Sequence, residues 1–144
     1  MIQVEIALSN QSVLEKIIDL RYEILRKPWD KSRETATDDL EFSSVNAYIL
    51  LDKRIVACGR LQDNGMGVGQ IRYMAVHTDY QGNGLGKMIV LKLEEEARKL
   101  GLVTIELQAR ENAIEFYKRQ KYILHEKSFK LWDIIQHYLM LKKL

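Results

Sequence analysis

Three glycines stand close together in the segment HTDYQGNGLGK, residues 77–87. Glycine lets the backbone approach a ligand closely, and the unpaired N–H groups of a first helical turn point towards whatever binds there. Such a turn is typical of an anion site, above all of a phosphate site. Lys87 supports this interpretation, because a cation in the first helical turn is unfavourable against the helix dipole unless an anion binds there.

Two common phosphate motifs do not fit this segment. A P-loop requires glycine where Gln81 stands and serine or threonine where Met88 stands. A dinucleotide fingerprint, G-x-G-x-x-G, requires glycine at residue 87 or 89, and these are lysine and isoleucine. The pattern that the segment does satisfy is Q/R-x-x-G-x-G/A, through Gln81, Gly84 and Gly86.

This pattern resembles the acyl-CoA pyrophosphate loop of the GNAT superfamily of N-acyltransferases. The strand pattern before the loop, the amphipathic pattern after it, and ENAIEFYKRQKY at residues 111–122 also resemble that superfamily. The resemblance implies an acetyl-CoA-dependent N-acetyltransferase whose acceptor is a primary amine of a small molecule or peptide. The residues that it places against acetyl-CoA are Met74, Ala75, Val76, Gln81, Gly82, Asn83, Gly84, Leu85, Gly86, Lys87, Asn112, Phe116 and Tyr117.

The resemblance also implies chemical roles. Backbone groups of Met74 and Val76 would bind pantetheine, and the N–H of Met74 would face the acetyl oxygen as an oxyanion-hole donor. Tyr117 matches the tyrosine that acts as general acid in many members, although its helical spacing alone is more typical of a core aromatic residue. The family commonly has glycine before the aromatic that closes the second signature, and Lys121 stands there in this chain.

Asn112 has two interpretations that are compatible with each other. Followed by Glu115, it has the pattern of a helix N-cap, and the resemblance implies that its side chain touches pantetheine. The general base is not singled out by any spacing. His137 resembles a histidine near the acceptor cleft of small members and is the first candidate; the others are Glu23, Glu106 and Gln108.

The acceptor site is equally open from the sequence. Arg21 falls within the apolar stripe of the first predicted helix, so it either pairs structurally at a helix end or points into a ligand cleft. In a cleft it would recognise a carboxylate, whereas the acidic stretch Asp38, Asp39 and Glu41 would recognise a cation. Nothing in the sequence decides between the two.

A covalent route through Cys58 is disfavoured. It would require a histidine and a carboxylate beside the thiol, and the alternation of Cys58 within IVACGRL predicts a small core residue instead. We therefore expect direct transfer in a ternary complex. No group of His, Cys, Asp or Glu has metal-ligand spacing, so no metal is expected.

The elements that position these residues can be predicted from periodicity. Strands are predicted at 2–8, 47–51, 55–61, 70–76 and 102–109, with two more in 121–144. Helices are predicted at 12–27, 85–100 and 111–120, and 27–46 is predicted to be a loop with room for one short helix. This order indicates an α/β protein of the α+β mixed-sheet kind, folded as one domain over residues 1–144. The resemblance implies about seven mostly antiparallel strands, a central splayed parallel pair and about four flanking helices.

Composition bounds the remaining function classes. The chain of 144 residues is 47% hydrophobic with a net charge of +2, which is typical of a globular domain and does not indicate nucleic-acid binding. The N-terminus lacks a secretory pattern and no apolar run approaches a membrane span, so we expect a cytoplasmic protein without a membrane partner. A homodimer through the C-terminal strands is compatible with the resemblance. The rival functions are a CoA-binding regulatory module without turnover and a scaffold domain with an empty loop.

Overall fold

A computed structural model describes residues 2–7 and 12–144. The strands are β1 (Val4–Ala7), β2 (Val45–Leu51), β3 (Arg54–Asp63), β4 (Val68–Val76), β5 (Thr104–Arg110), β6 (Ile123–Leu131) and β7 (Ile135–Lys143). The α-helices are α1 (Val13–Arg21), α2 (Leu85–Lys99) and α3 (Ile114–Arg119), and α1 continues into a π-helical turn, Tyr22–Arg26. None of the helices in these ranges is long and apolar enough to cross a membrane.

The seven strands form one sheet in the order β1-β2-β3-β4-β5-β7-β6. Every neighbouring pair is antiparallel except β4 and β5, which are parallel. This confirms the predicted mixed sheet with one central parallel pair. Strands β2 and β3 form the predicted hairpin, whose turn residues Asp52 and Lys53 both have left-handed φ angles.

The parallel pair is splayed, as predicted. Pairing runs only from Val68 opposite Thr104 to Ile71 opposite Leu107, although β4 continues to Val76 and β5 to Arg110. Beyond Ile71 and Leu107, β4 and β5 are no longer paired with each other by backbone hydrogen bonds. Because unpaired backbone groups require another partner, the fork is a ready-made position for an extended ligand.

A β-bulge bends β4 beside the fork. Cys58 pairs with Ala75 but Arg60 pairs with Arg72, so β4 carries one extra residue there. Tyr73, in the bulge, has a φ of 54°, which is uncommon for an aromatic residue. Gly59 lies opposite the bulge, and a Cβ at that position would meet the Met74 sulfur at 2.5 Å.

The two main helices cover opposite faces of the sheet. Helix α2 packs with Ala57 and Leu61 in the larger hydrophobic cluster, whereas α1 packs with Cys58 and Ala75 in a separate one. Neighbouring residues of a strand point to opposite faces of the sheet, so β3 contributes side chains to both hydrophobic clusters.

Several predicted boundaries require correction. The first helix is α-helical only to Arg21, because the chain then widens into the π-helical turn and a 3-10 turn at Lys27–Trp29. Asn112 is not a helix cap: it lies inside the 3-10 turn Glu111–Ala113, and the N-cap of α3 is Ala113, without a side-chain bond. The predicted first strand extends to residue 8, which lies outside the described residues.

Candidate active site

A cleft of about 270 Å³ opens at the fork between β4 and β5. Ile71 and Met74 line it from β4, Leu107 and Ala109 from β5, and Tyr117 from α3. The cleft is therefore bounded by the two strands that separate and by the helix that follows β5. Ligands of open α/β sheets bind at this kind of place, outside the carboxyl ends of neighbouring parallel strands.

The predicted pyrophosphate loop joins β4 to α2 and is held by its own side chains. The Gln81 side-chain amide donates to the carbonyl of Val76 at 3.0 Å, and the Asn83 amide donates to the carbonyl of Tyr80 at 3.2 Å. Gly82 and Gly84 have φ angles of 82° and 79°, and a Cβ on either would meet no atom within 4 Å. The left-handed backbone therefore requires glycine here, and the space above it is open.

Helix α2 begins directly after Gly84, which caps it without a side chain. The N–H groups of Leu85, Gly86 and Lys87 belong to the first helical turn, where helix geometry leaves them without an intrahelical acceptor. The Lys87 side chain is exposed beside them. These donors, the helix dipole and the lysine make this end of α2 suited to an anion.

Gly86 has a different reason for lacking a side chain. A Cβ there would lie 3.1 Å from the ring of Phe116 and 3.7 Å from a methyl group of Val76. The structure therefore brings Gly86 and Phe116, both predicted to contact the cofactor, into contact with each other. The close approach fixes α3 against the first turn of α2.

Tyr117 lines the cleft from α3 and is 7% exposed. Its ring makes edge contacts with Phe116 at 4.9 Å and Tyr122 at 5.8 Å between centroids. The hydroxyl group has no hydrogen-bond partner within residues 2–7 and 12–144. Burial raises the pKa of the Tyr117 phenol, so it remains protonated at neutral pH.

His137 lines the same cleft from β7 and is 6% exposed. Its Nδ1 lies 2.9 Å from the carbonyl oxygen of Ile135, and its ring stacks on Phe129 at 4.5 Å. Since a carbonyl only accepts, Nδ1 carries the proton and Nε2 of the neutral ring has a free lone pair. Burial lowers the pKa of His137, and the positive charges of Arg110 and Arg26 act in the same direction.

Arg21 does not reach the cleft. Its side chain is fully buried and donates to Glu41, to the carbonyl of Ala36 at 2.9 Å and to Asn46 at 2.6 Å. The guanidinium also lies 4.5 Å from the centre of the Tyr73 ring. Arg21 is therefore paired inside the protein, and of its two interpretations the structural pairing holds and the position in a ligand cleft does not.

The acidic stretch is likewise neutralised inside the protein. Asp38 accepts from Arg60 at 2.8 and 3.0 Å and from Arg72 at 3.0 Å, and Glu41 is 3% exposed beside Arg21. Hydrogen bonds from Arg60 lower the pKa of Asp38. Only Asp39 of the three acids has an exposed side chain, and none of them lines the cleft.

The other predicted residues are divided between the cleft and its surroundings. Met74 and Gln108 line the cleft, Ala75 is buried against α1, and the carbonyl of Val76 is bonded to Gln81. Asn112 is exposed and does not line the cleft.

Three further candidates lie outside the cleft. Glu106 accepts from Asn64 at 2.8 Å, and Glu23 lines a separate depression near Lys53 and Thr78. Cys58 is fully buried, and burial raises its thiol pKa to about 11, so it is not a thiolate at neutral pH. The described part of the chain contains no cluster of three His, Cys, Asp or Glu side chains that could hold a metal ion.

Two arginines that the sequence did not indicate line the cleft, Arg26 and Arg110. On a regular helix Arg26 would point about 140° away from Arg21, but the π-helical turn redirects it. Arg110 ends the parallel strand β5, and this was a usable signal, because the carboxyl ends of parallel strands carry ligand sites.

Comparison with known proteins agrees with this geometry. Residues 14–122 match the model of the family described as Acetyltransferase (GNAT) family. The chain belongs to this family. As a GNAT acetyltransferase it is 28% identical over 121 residues to the uncharacterized N-acetyltransferase YjcF of Bacillus subtilis (strain 168), an alignment that covers 83% of this chain and 86% of that protein.

Solved structures share the fold of this GNAT chain at low sequence identity. A proposed N-acetyltransferase from Lactobacillus plantarum superimposes with a TM-score of 0.87 at 18% identity, over 99% of this chain and 98% of the other. An aminoglycoside 6'-N-acetyltransferase, whose structure holds coenzyme A, gives a TM-score of 0.81 at 15% identity over 98% and 96% of the two chains. These likenesses confirm the predicted fold, and the family match confirms the predicted acyltransferase class. Neither identifies the acceptor.

Proposed function

We propose that this GNAT acetyltransferase transfers acetyl from acetyl-CoA directly to a primary amine, without a covalent enzyme intermediate. The observation that carries the proposal is the position of Tyr117 at the fork, between an unpaired strand edge and the anion-binding end of α2. The combination provides places for the pantetheine, for the pyrophosphate and for a proton donor. The burial and high thiol pKa of Cys58 favour direct transfer over a route through cysteine.

The residues around the fork suit acetyl-CoA in shape and chemistry. The open space above Gly82 and Gly84 and the first-turn N–H groups of α2 would hold the pyrophosphate, with Lys87 beside it. The unpaired edge of β4 around Met74 would hold the pantetheine by backbone hydrogen bonds. When bound, acetyl-CoA supplies an activated acyl group whose leaving group is a thiolate.

The chain's own groups would then stabilise charge and move protons. The Met74 N–H would donate to the acetyl oxygen as negative charge develops there. Tyr117, held protonated by burial, would give its phenolic proton to the sulfur as the carbon–sulfur bond breaks. His137, with its free Nε2, would accept the proton that the amine nitrogen loses as the carbon–nitrogen bond forms.

Free CoA release across a panel of amines tests the proposal. Replacing Tyr117 by Phe removes only the hydroxyl group, and we expect kcat to fall by about 10²–10⁴ while the affinity for acetyl-CoA stays within twofold. Tyr48→Phe is the matched control, since Tyr48 lies on β2 and does not line the cleft. Binding of acetyl-CoA without turnover of any amine would instead favour the regulatory module. An unchanged melting temperature at millimolar acetyl-CoA would favour the empty scaffold.

A further inference from the structure

We propose that the acceptor of this enzyme is an amine that also carries an anionic group, a carboxylate or a phosphate, and that Arg26 and Arg110 bind that group. The inference rests on the proposed acetyl transfer and assigns its substrate class. It comes from the charge of the cleft and from the arrangement of these two side chains.

The two guanidinium groups converge on one atom. Nη1 of Arg26 donates to the carbonyl oxygen of Leu25 at 3.2 Å, and Nη2 of Arg110 donates to the same oxygen at 3.1 Å. Nε of Arg26 is fixed in addition by the carbonyl of Thr35 at 3.0 Å. Two planar groups, each with several N–H donors, are thus held side by side at the wall of the cleft.

Neither guanidinium has a counter-ion among the described residues. Within residues 2–7 and 12–144 no carboxylate lies within 4.0 Å of Arg26 or Arg110, although Arg21, Arg60 and Arg72 each contact one. No Asp or Glu is among the described residues that line the cleft. Arg26 is nevertheless only 8% exposed, and a buried charge without a counter-ion is unfavourable even where carbonyl groups accept its hydrogen bonds.

Burial lowers the pKa of both arginines, and their mutual repulsion adds to the effect on Arg110. Both remain charged at neutral pH, because the reference pKa of arginine lies far above 7. The neighbouring network does not offset these charges, since three guanidinium groups there share the carboxylates of Asp38 and Glu41. The cleft therefore has a positive potential that an anion would satisfy.

The local backbone is built to produce this pair. The π-helical turn Tyr22–Arg26 turns Arg26 towards the cleft and leaves the Leu25 carbonyl to receive both guanidinium groups. Isolated π-helical turns are found frequently at functional sites. The rings of Tyr73 and Trp132 flank the Arg26 guanidinium at 5.7 and 5.2 Å and keep its plane from turning away.

The anion that this pair fits belongs to the acceptor and not to acetyl-CoA. The pyrophosphate site proposed above lies in residues 77–87, and none of these residues lines the cleft. His137, the proposed base, does line it and feels the charge of both arginines. The pair therefore stands on the side from which the amine arrives. Guanidinium groups bind carboxylates and phosphates alike through paired hydrogen bonds.

The test uses acceptors that differ only in the anionic group. Glycine is compared with glycinamide, and glucosamine 6-phosphate with glucosamine, by kcat/KM for free CoA release at saturating acetyl-CoA. The expected result is at least tenfold preference for the charged member of one pair, and the pair that shows it distinguishes carboxylate from phosphate. Arg26→Gln and Arg110→Gln should each lower kcat/KM for that acceptor by about 10- to 100-fold, the loss of one charged hydrogen bond.

Controls separate this inference from the proposed function. Arg33→Gln removes a guanidinium from exposed ion pairs outside the cleft and should leave the preference intact. Arg26→Lys and Arg110→Lys keep the charge and should retain part of the preference. Equal or better use of the uncharged member in both pairs, or a preference for spermidine over all four, would overturn the inference while acetyl transfer stands.

A binding experiment decides the inference even if none of the tested amines is acetylated. With the protein saturated by free CoA, glycine or inorganic phosphate should raise the melting temperature of the wild type and of Arg33→Gln but not of Arg110→Gln. No difference between wild type and Arg110→Gln in this experiment would overturn the inference. Absence of CoA release with every amine, by itself, would overturn only the proposed acetyl transfer.

Discussion

Replacing Glu41 by Gln should destabilise the protein substantially, although the change removes only one charge. Glu41 and Arg21 form an ion pair whose side chains are 4% and 0% exposed. The carboxylate also accepts from Asn46 at 3.0 Å and from Thr37 at 2.9 Å. The NH₂ group of a glutamine amide is itself a hydrogen-bond donor and would face donors of Arg21, Asn46 or Thr37. The charge of Arg21 would in addition remain buried without a counter-ion.

The expected loss can be worked from this geometry. Breaking a buried ion pair by removing one partner destabilises by about 3–5 kcal/mol. Arg21 keeps its bonds to the Ala36 carbonyl and to Asn46, so we expect the lower end, about 3 kcal/mol. In a domain of this size that corresponds to a fall of about 6–12 °C in melting temperature.

Urea unfolding followed by circular dichroism at pH 7 measures the change in the free energy of unfolding. The variant and the wild type can be compared in this way when their m-values are equal. Glu34→Gln is the matched control, because Glu34 is exposed and its replacement should change the free energy of unfolding by less than about 0.5 kcal/mol. A loss below about 1 kcal/mol for Glu41→Gln would show that water or a rearranged partner satisfies Arg21, and the argument from burial would then be wrong.

Three further predictions concern pH, the cofactor loop and the base. Hydrogen bonds from Arg60 hold the pKa of Asp38 below the ordinary 3.8. Burial raises the pKa of Glu41, but the hydrogen bonds and charge of Arg21, together with the hydrogen bonds from Asn46 and Thr37, outweigh burial and hold it below the ordinary 4.5. The stabilisation from both carboxylates is therefore complete above those ordinary values and is lost as the pH falls through the lower folded values, and urea midpoints between pH 7 and 3 should show this loss. Gly86→Ala should push Phe116 by a few tenths of an ångström and raise the KM for acetyl-CoA by about tenfold, and an unchanged KM would contradict the packing argument. With His137 as base, kcat/KM for the acceptor should fall as the pH drops through a pKa below the ordinary 6.5, and His137→Gln should abolish that limb.

The fold could be predicted because its decisive signals are local. The glycine loop, the apolar stripe of α2 and the alternation in β2 to β5 each depend on neighbouring residues, and the structure confirms the mixed sheet that they indicate. Boundaries were less accurate where backbone geometry departs from the regular α-helix. The π-helical turn at Tyr22–Arg26 and the 3-10 turn at Glu111–Ala113 leave no distinct pattern in a single sequence.

The candidate site was predicted in part for the same reason. Periodicity directed Arg21 inward correctly, but its partner Glu41 lies 20 residues away in a segment without a period. Arg26 was assigned to no site, because regular helical geometry turns it outward. Which arginine is neutralised and which faces the cleft depends on tertiary contacts that sequence spacing does not contain.

The bulge in β4 has a consequence for how this strand tolerates insertions and deletions. Ile71 and Met74 belong with the α2 face, whereas Arg72 pairs with Arg60 and Ala75 packs against α1. Because of the extra residue, odd-numbered positions of β4 face α2 before the bulge, as Ile71 does, and face α1 after it, as Ala75 does. Deleting Tyr73 would therefore leave a strict two-residue repeat in which every remaining residue of β4 keeps its present face. A deletion at a regularly paired position such as Gln70 would instead exchange the faces of every residue on one side of the gap and rearrange both layers of the core.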